Sequence, residues 1–197
     1  MCSGAELLHL VDRDVGKAAS ARDRIAPEAQ AHDDYAAVLA DPAVHAVAIA
    51  TPAATHYELA VSALEAGKHA LVEKPLAMTV EECTHLEQLA ADRGLVLMVG
   101  HVFLFNAAVT FVKEAIDQGE LGDVLYVHSR RVNLGRVQAD INALWSFAPH
   151  DISILNYWMG SEPVSVAARG FCYIQKQVED VIFCTLEYPD GRGAHMH

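Results

Sequence analysis

The chain has 197 residues, of which 52% are hydrophobic and 20% charged, a composition typical of an ordered globular protein with one large or two small domains. Its 14 basic and 26 acidic residues give a formal net charge of −12, which disfavours nucleic acid and anionic membranes as partners. The four cysteines form no CxxC pair, and no apolar run reaches the roughly 18 residues of a membrane span. We therefore expect a cytoplasmic protein.

The first half of the chain alternates apolar runs with stretches of helical composition. A helix is predicted over about 54–65, and a capping box at 79–82 predicts a second helix that runs to Gly94. The apolar runs lack polar alternation, which is typical of strands that are covered on both faces of a parallel sheet. These strands are predicted at 6–11, 45–50, 68–72 and 95–99.

The second half has a different pattern. A helix over about 107–117 precedes a long strand at 124–132, and a helix over about 149–159 is predicted with Pro149 in its first turn. Two strands without an intervening helix, 164–174 and 178–188, indicate an antiparallel sheet, and a further strand begins near residue 194. The fold class is α/β: a partial Rossmann-type sheet over 1–102, then an α+β domain with a mostly antiparallel sheet over 103–197.

The ends of parallel strands are where ligands bind in doubly wound sheets. Asp12 ends the first strand, where a dinucleotide-binding unit carries an acid for the adenosine ribose, although an acid there is equally common as a helix cap. Arg13 suits adenine stacking or a 2′-phosphate, so NAD and NADP both stay open. The glycine-rich loop should precede Asp12 by about 20 residues, so we expect that loop and its strand to lie outside this chain.

Two further segments carry candidate chemistry. Glu73-Lys74-Pro75 follows a predicted strand, where a partly buried lysine can hydrogen-bond a substrate hydroxyl, or simply form a solvated ion pair. His150 suits proton transfer near neutral pH, or a structural role at a helix start. The eleven histidines show no metal-binding spacing other than the HxH of His195 and His197, so a metal hydrolase is a distant alternative and no metal is expected.

Five short segments carry recognisable motifs. They are Thr51-Pro52 with His56, Glu73 to Ala77, Gly100 to Asn106, Gly119 to Gly122, and Pro149-His150-Asp151. In order and spacing they resemble the Gfo/Idh/MocA oxidoreductase family, and the resemblance covers almost the whole chain. The stretches 133–137 and 140–145 resemble the nucleotide-sugar 3-dehydrogenase branch in particular. The resemblance implies a Rossmann domain joined to a domain with an open antiparallel sheet.

The same resemblance implies residue roles. Lys74 matches the lysine that contacts the reacting hydroxyl and the nicotinamide, and His150 matches the acid/base. Ser146 stands where many members carry an aspartate, and the adjacent Asp151 is a poor substitute because it points elsewhere on a helix. Other matches are cofactor-lining positions, namely Thr51, Pro52, His56, Glu73, Lys74 and His101, and substrate contacts, namely Arg131, Asn133, Asn142 and His150.

The expected function is hydride transfer between NAD or NADP and a hydroxyl-bearing carbon of a sugar or nucleotide sugar. The expected assembly is a homo-oligomer formed through the C-terminal sheet. The alternative is a truncated, non-catalytic relative that acts as a binding or oligomerisation module, because a chain without the glycine loop lacks the main anchor for the pyrophosphate.

Overall fold

Three sheets and six helices form the part of the chain that the computed structural model describes, residues 4–132 and 141–197. Contacts divide the chain into two units, Met1–Gly100 and His101–His197. The α/β fold class is confirmed, with parallel strands in the first unit and a mixed sheet in the second. No helix within the described residues has the length and apolar character needed to cross a membrane.

All strand pairs of the first unit are parallel, as predicted. β1 (His9–Val11) pairs with β2 (Gln30–His32), and a separate sheet has the order β3 (Ala46–Ile49), β4 (His69–Val72) and β5 (Leu97–Val99). The sequence does not predict the strand β2 or the helix α2 that follows it. Segments of three and six residues are too short to show the hydrophobic periodicity of a strand or a helix. The helices are α1 (Val15–Ile25), α2 (Tyr35–Ala40), α3 (His56–Glu65) and α4 (Val80–Asp92).

The core of the first unit lies between the three-stranded sheet and helices α3 and α4. Ala60 and Leu64 are one helical turn apart on α3, and both are fully buried. They belong to one cluster with Val72 of β4 and Leu86 of α4. Burial of each such large side chain contributes about 1.5–3 kcal/mol, so this cluster holds the carboxyl ends of β3 and β4 in place.

A chain of polar contacts joins β1 and β2 to the turn before β3. His9 Nδ1 lies 3.0 Å from His32 Nε2, and His9 Nε2 lies 3.0 Å from Asp41 Oδ2. The backbone N–H of Ala43 and the His9 ring hold the pKa of Asp41 below its usual value. Lys68 Nζ donates to the carbonyl oxygens of Asp41 and Val44, so the charged end of this nearly buried lysine is paired.

The second unit has a four-stranded sheet in the order β6-β9-β8-β7. The pairs β7–β8 and β8–β9 are antiparallel, which confirms the mostly antiparallel sheet, while β6 pairs with β9 in parallel. The predicted strand at 124–132 is wrong in length, because only Tyr126–Ser129 is extended and paired. The elements are α5 (Ala107–Asp117), β6 (Tyr126–Ser129), α6 (Ala143–Met159), β7 (Ser165–Phe171), β8 (Val181–Glu187) and β9 (Gly193–Met196).

The prediction that a helix begins near Pro149 is wrong. α6 begins at Ala143, and Asn142 is its N-cap, with its side-chain oxygen accepting the backbone N–H of Trp145. Pro149 lies inside the helix, where it removes one backbone hydrogen bond. His150 is therefore in the third turn of α6 and not at its start. Burial of Leu155 and Met159 against the sheet offsets the missing bond.

A largely buried ion pair connects α6 to the β6 edge of the sheet. Asp151 of α6 accepts hydrogen bonds from Arg131 Nε at 2.7 Å and from Ser129 Oγ at 2.7 Å. Arg131 Nη2 makes a further bond to the carboxylate at 3.2 Å, so the pairing is bidentate. The Asp151 side chain retains 9% of its exposure. A carboxylate at this depth needs its cation, because a lone buried charge is strongly destabilising.

We expect Thr79→Ala to lower the free energy of unfolding by about 1 kcal/mol, because Thr79 caps α4. Its hydroxyl accepts the Glu82 N–H, and the Glu82 carboxylate accepts the Thr79 N–H, which confirms the predicted capping box. Thr84→Ala is the matched control, since Thr84 is exposed within the same helix and alanine has the higher helix propensity. Urea unfolding of both variants is the measurement, and equal losses would contradict the capping role.

We expect Asp151→Asn to lower the free energy of unfolding by about 2–3 kcal/mol, because it leaves the Arg131 guanidinium without its carboxylate. Asp117→Asn is the control, since Asp117 pairs with Lys113 on an exposed helix surface and should change stability by less than about 0.5 kcal/mol. Urea unfolding monitored by circular dichroism gives both values. Similar small changes in the two variants would show that the Asp151 pair contributes no more than a surface pair.

Candidate active site

Polar residues follow the parallel strands of the first unit where each strand ends. Asp12 comes directly after β1, Thr51 is two residues after β3, and Glu73 comes directly after β4. The backbone hydrogen bonds between neighbouring strands continue one residue beyond the strands themselves. The Glu73 N–H donates to Ile49 O, and the Gly100 N–H donates to Val72 O. The ends of β3, β4 and β5 are thereby held at one edge of their sheet.

Gly100 makes room for the Glu73 side chain at this edge. A Cβ added to Gly100 would lie 3.1 Å from the carboxylate of Glu73, closer than side chains normally pack. A glycine at the end of β5 therefore lets the acid that ends β4 lie across the neighbouring strand. The Glu73 carboxylate also accepts the backbone N–H of Lys74 at 3.3 Å. The acid thus helps to set the course of the segment that carries the candidate catalytic lysine.

His56 ties two of the strand-exit loops together. It is 1% exposed at the start of α3, with Nδ1 2.7 Å from the Pro75 carbonyl oxygen and Nε2 2.8 Å from the Thr51 carbonyl oxygen. Carbonyl oxygens only accept, so both bonds form together only when both ring nitrogens carry a proton. The imidazole fixes the Thr51 loop relative to the Glu73-Lys74-Pro75 loop, and the Lys74–Pro75 peptide bond is cis.

The other predicted residues that follow parallel strands of the first unit are accessible. Asp12, Arg13, Thr51 and Pro52 are exposed, while Lys74 is half-buried. Asp12 Oδ1 accepts the backbone N–H of Asp14, and no described hydrogen bond uses its second oxygen. An exposed carboxylate after the first parallel strand fits the ribose hydroxyls of a dinucleotide. The exposed polar groups that follow the parallel strands therefore fit a nicotinamide cofactor, which Asp12 and Thr51 would help to hold.

In the second unit, His150 belongs to a group of rings and charges. The Phe103 ring meets the His150 ring edge to face, with centroids 4.8 Å apart. The Arg131 guanidinium lies 4.8 Å from the centroid of the same ring, within cation–π distance. Arg131 is also the partner of Asp151. His150 is thus held on α6 beside an aromatic ring that the Arg131–Asp151 pair fixes in turn.

The predicted substrate contacts have defined partners or lie outside the described residues. Asn142 caps α6, and its amide nitrogen donates to Glu179 Oε2 at 3.1 Å. The neighbouring Asp180 accepts the backbone N–H groups of Ile174 and Tyr173, and these bonds lower the pKa of its carboxyl. Asn142 is therefore tied to a well-bonded hairpin loop. Asn133 lies outside the described residues.

Arg131 borders a cavity beside β6. The cavity has a volume of about 350 Å³, and Asp151 and Trp158 of α6 also line it. His101 is the first residue of the second unit and immediately follows Gly100.

The sequence offered no signal for the pairing of Phe103 with His150 or of Asp151 with Arg131, because these partners come from separate elements. The run of apolar residues after His101 is a local sequence feature that could have indicated an aromatic ring beside the candidate site.

Comparison with known proteins agrees with this geometry. A model described as "Oxidoreductase family, NAD-binding Rossmann fold" matches residues 1–101, and a model of the GFO/IDH/MocA C-terminal domain matches residues 109–197. The chain is 31% identical to scyllo-inositol 2-dehydrogenase (NAD(+)) of Bacillus subtilis, over 85% of the chain and 50% of that protein. It is 33% identical to inositol 2-dehydrogenase 2 of Saccharopolyspora erythraea, over 96% of the chain and 57% of that protein.

One solved structure that is similar to this chain is a levoglucosan dehydrogenase in complex with NADH and levoglucosan. It is 27% identical to the chain with a TM-score of 0.85, and the match covers 96% of this chain and 56% of that one. The chain thus spans about half the length of the relatives it matches. Because the two family models together match both units, the chain belongs to the Gfo/Idh/MocA oxidoreductase family.

Proposed function

We propose that the protein is an NAD(P)-dependent dehydrogenase that oxidises a hydroxyl-bearing carbon of a sugar or polyol. The observation that carries this proposal is the edge formed by Thr51, Glu73 and Lys74, which His56 holds together at the ends of parallel strands. Relatives named as inositol dehydrogenases support a sugar or polyol substrate. Cytoplasmic location and assembly as a homo-oligomer through the second unit's sheet are parts of the same proposal.

Lys74 and His150 are the proposed catalytic residues. A neutral imidazole nitrogen of His150 would accept the proton of the hydroxyl that is oxidised, the role of a general base. The Lys74 ammonium would donate a hydrogen bond to a substrate hydroxyl and stabilise the negative charge that develops on its oxygen. A nicotinamide cofactor, when bound, supplies the acceptor for the hydride that leaves the carbinol carbon. His56 acts as a positioning residue, because its ring is buried and contacts the loops.

The substrate could be a free polyol or a nucleotide sugar. The named inositol dehydrogenases favour a free polyol. The resemblance of stretches 133–137 and 140–145 to nucleotide-sugar 3-dehydrogenases favours a nucleotide sugar, and most of these residues lie outside the described ranges. Initial rates with scyllo-inositol, myo-inositol, levoglucosan and a UDP-hexose distinguish the two. We expect activity with the first three and none with the UDP-hexose.

We expect Lys74→Ala and His150→Ala in the intact protein to lower kcat by at least about 100-fold, because each removes a proposed catalytic group. NAD⁺ and NADP⁺ reduction with the preferred polyol is the measurement. Lys113→Ala and His45→Ala are the matched controls: Lys113 of α5 is half-buried and pairs with the exposed Asp117, and His45 is exposed before β3. Undiminished turnover in the Lys74 and His150 variants would overturn the assignment.

We expect Asp12→Ser to weaken NADH binding about tenfold while NADPH binding weakens less or improves. The carboxylate would accept ribose hydroxyls in NADH and would repel a 2′-phosphate. Fluorescence titration of both cofactors against the wild type and the variant tests this expectation, with Glu28→Ser, an exposed acid beyond the end of α1, as the control. If the intact wild-type protein binds neither cofactor, the binding or oligomerisation module becomes the better description.

A further inference from the structure

Three histidines lie on one face of the second unit's sheet. His128 of β6 and His195 of β9 are direct partners in the parallel ladder. His197 comes two residues after His195, and since side chains alternate between the two faces of a sheet, it lies on the same face. The intervening Ala194 and Met196 are buried in the core cluster that includes α6 residues. The histidines are therefore on the face of the sheet opposite α6.

The three rings are close enough to share one ion. One nitrogen from each of His128, His195 and His197 lies within 4.8 Å of the other two. The ring centroids are 5.5, 5.7 and 6.3 Å apart. Tetrahedral zinc with Zn–N bonds of about 2.0–2.1 Å places its ligand nitrogens about 3.3 Å apart. Binding would therefore require the ring nitrogens to approach one another by up to about 1.5 Å.

The backbone already fixes the three positions. His128 and His195 are held by the β6–β9 ladder, and His197 directly follows the last paired residue of β9. The His197 N–H donates to Ser129 O at 3.2 Å, and the Arg131 N–H donates to His197 O at 2.8 Å. The backbone at these positions is therefore already ordered before an ion binds. A site of this kind is preorganised.

Two ring nitrogens of the cluster bear on metal binding, one because it lacks a partner and one because it has an outer hydrogen bond. His197 Nδ1 is buried and has no hydrogen-bond partner within residues 4–132 and 141–197, which is costly for a polar atom unless another ligand satisfies it. His195 Nδ1 lies 3.2 Å from Thr185 Oγ1. With Nε2 on the metal, Nδ1–H of His195 donates to that hydroxyl, the type of outer hydrogen bond that orients metal-binding histidines.

An aromatic ring lies against the histidine cluster. Phe183, which is 40% exposed, stacks on His197 and His195, with ring centroids 5.3 and 6.4 Å apart. This stacking explains why the rings are close, but it provides no hydrogen-bond partner for His197 Nδ1. The exposed Arg130 directly after β6 disfavours a cation nearby, whereas the chain's net charge of −12 favours one.

We propose that His128, His195 and His197 form a binding site for a divalent late transition-metal ion, with Zn²⁺ as the best fit. Three neutral imidazoles suit zinc, cobalt, nickel and copper better than they suit magnesium or calcium, which prefer oxygen ligands. Three histidine nitrogens leave the fourth position of a tetrahedral ion for water or another ligand. This site is separate from the proposed dehydrogenase residues and does not depend on the proposed activity.

The test is a titration of the intact, chelator-stripped protein with Zn²⁺ alone by isothermal titration calorimetry. We expect one ion per chain, with His128→Gln and His195→Gln each weakening binding at least tenfold, because glutamine keeps a polar side chain of similar length but has no imidazole nitrogen. Thr185→Val should weaken binding about tenfold, because it removes the hydroxyl that accepts the hydrogen bond from His195 Nδ1–H. His45→Gln, which changes an exposed histidine of the first unit, should leave the affinity unchanged.

Cobalt gives a second readout that reports on the ligands themselves. Co²⁺ at a tetrahedral site with three histidines produces visible absorption, and we expect His195→Gln to abolish it while His45→Gln retains it. Circular dichroism confirms that the variants are folded. The proposal is overturned if folded His128→Gln and His195→Gln bind Zn²⁺ as tightly as the wild type, if His45→Gln weakens binding equally, or if the wild type binds less than one ion per chain.

Discussion

The parallel ladder from β3 through β4 to β5 is the constraint on which the candidate active site depends. Parallel strands end at a common edge, so the segments that follow β3 and β4 start close together however far apart they are in sequence. The ladder continues through Glu73 and Gly100, and the missing side chain of Gly100 leaves space for the Glu73 carboxylate. His56 then bridges the carbonyl oxygens of the two loops. The position of Lys74 follows from these backbone contacts.

The two faces of the second unit's sheet serve different purposes. One face packs against α6, where Leu155 and Met159 are buried and where Asp151 pairs with Arg131. That pair orders the surroundings of Phe103 and therefore of His150. The opposite face carries His128 and the two histidines of the final strand segment. Because the pleat alternates side chains between faces, β9 contributes to the core and to the proposed metal site at the same time.

The sequence predicted best where the signal is local. The capping box at Thr79 and Glu82, the apolar runs of β3 and β4, and the turn at Gly94 with φ +64° all depend on residues within a few positions of one another. Prediction from the sequence is poor where contacts between distant residues determine the bounds of an element. The sequence predicts a helix that starts at Pro149, but the cap provided by Asn142 and packing against the sheet extend α6 six residues further toward its N-terminus.

By itself, the sequence determined the α/β class, the two halves and the family, because periodicity, turn residues and short motifs are properties of neighbouring positions. Only the tertiary structure decided which residues meet. It buried His56 between two carbonyl oxygens, gave Asp151 to Arg131, and brought His128 to His195 across 67 positions of chain. Such pairs depend on strand order and register, which are set by the packing of whole elements and leave no mark in the spacing of the residues themselves.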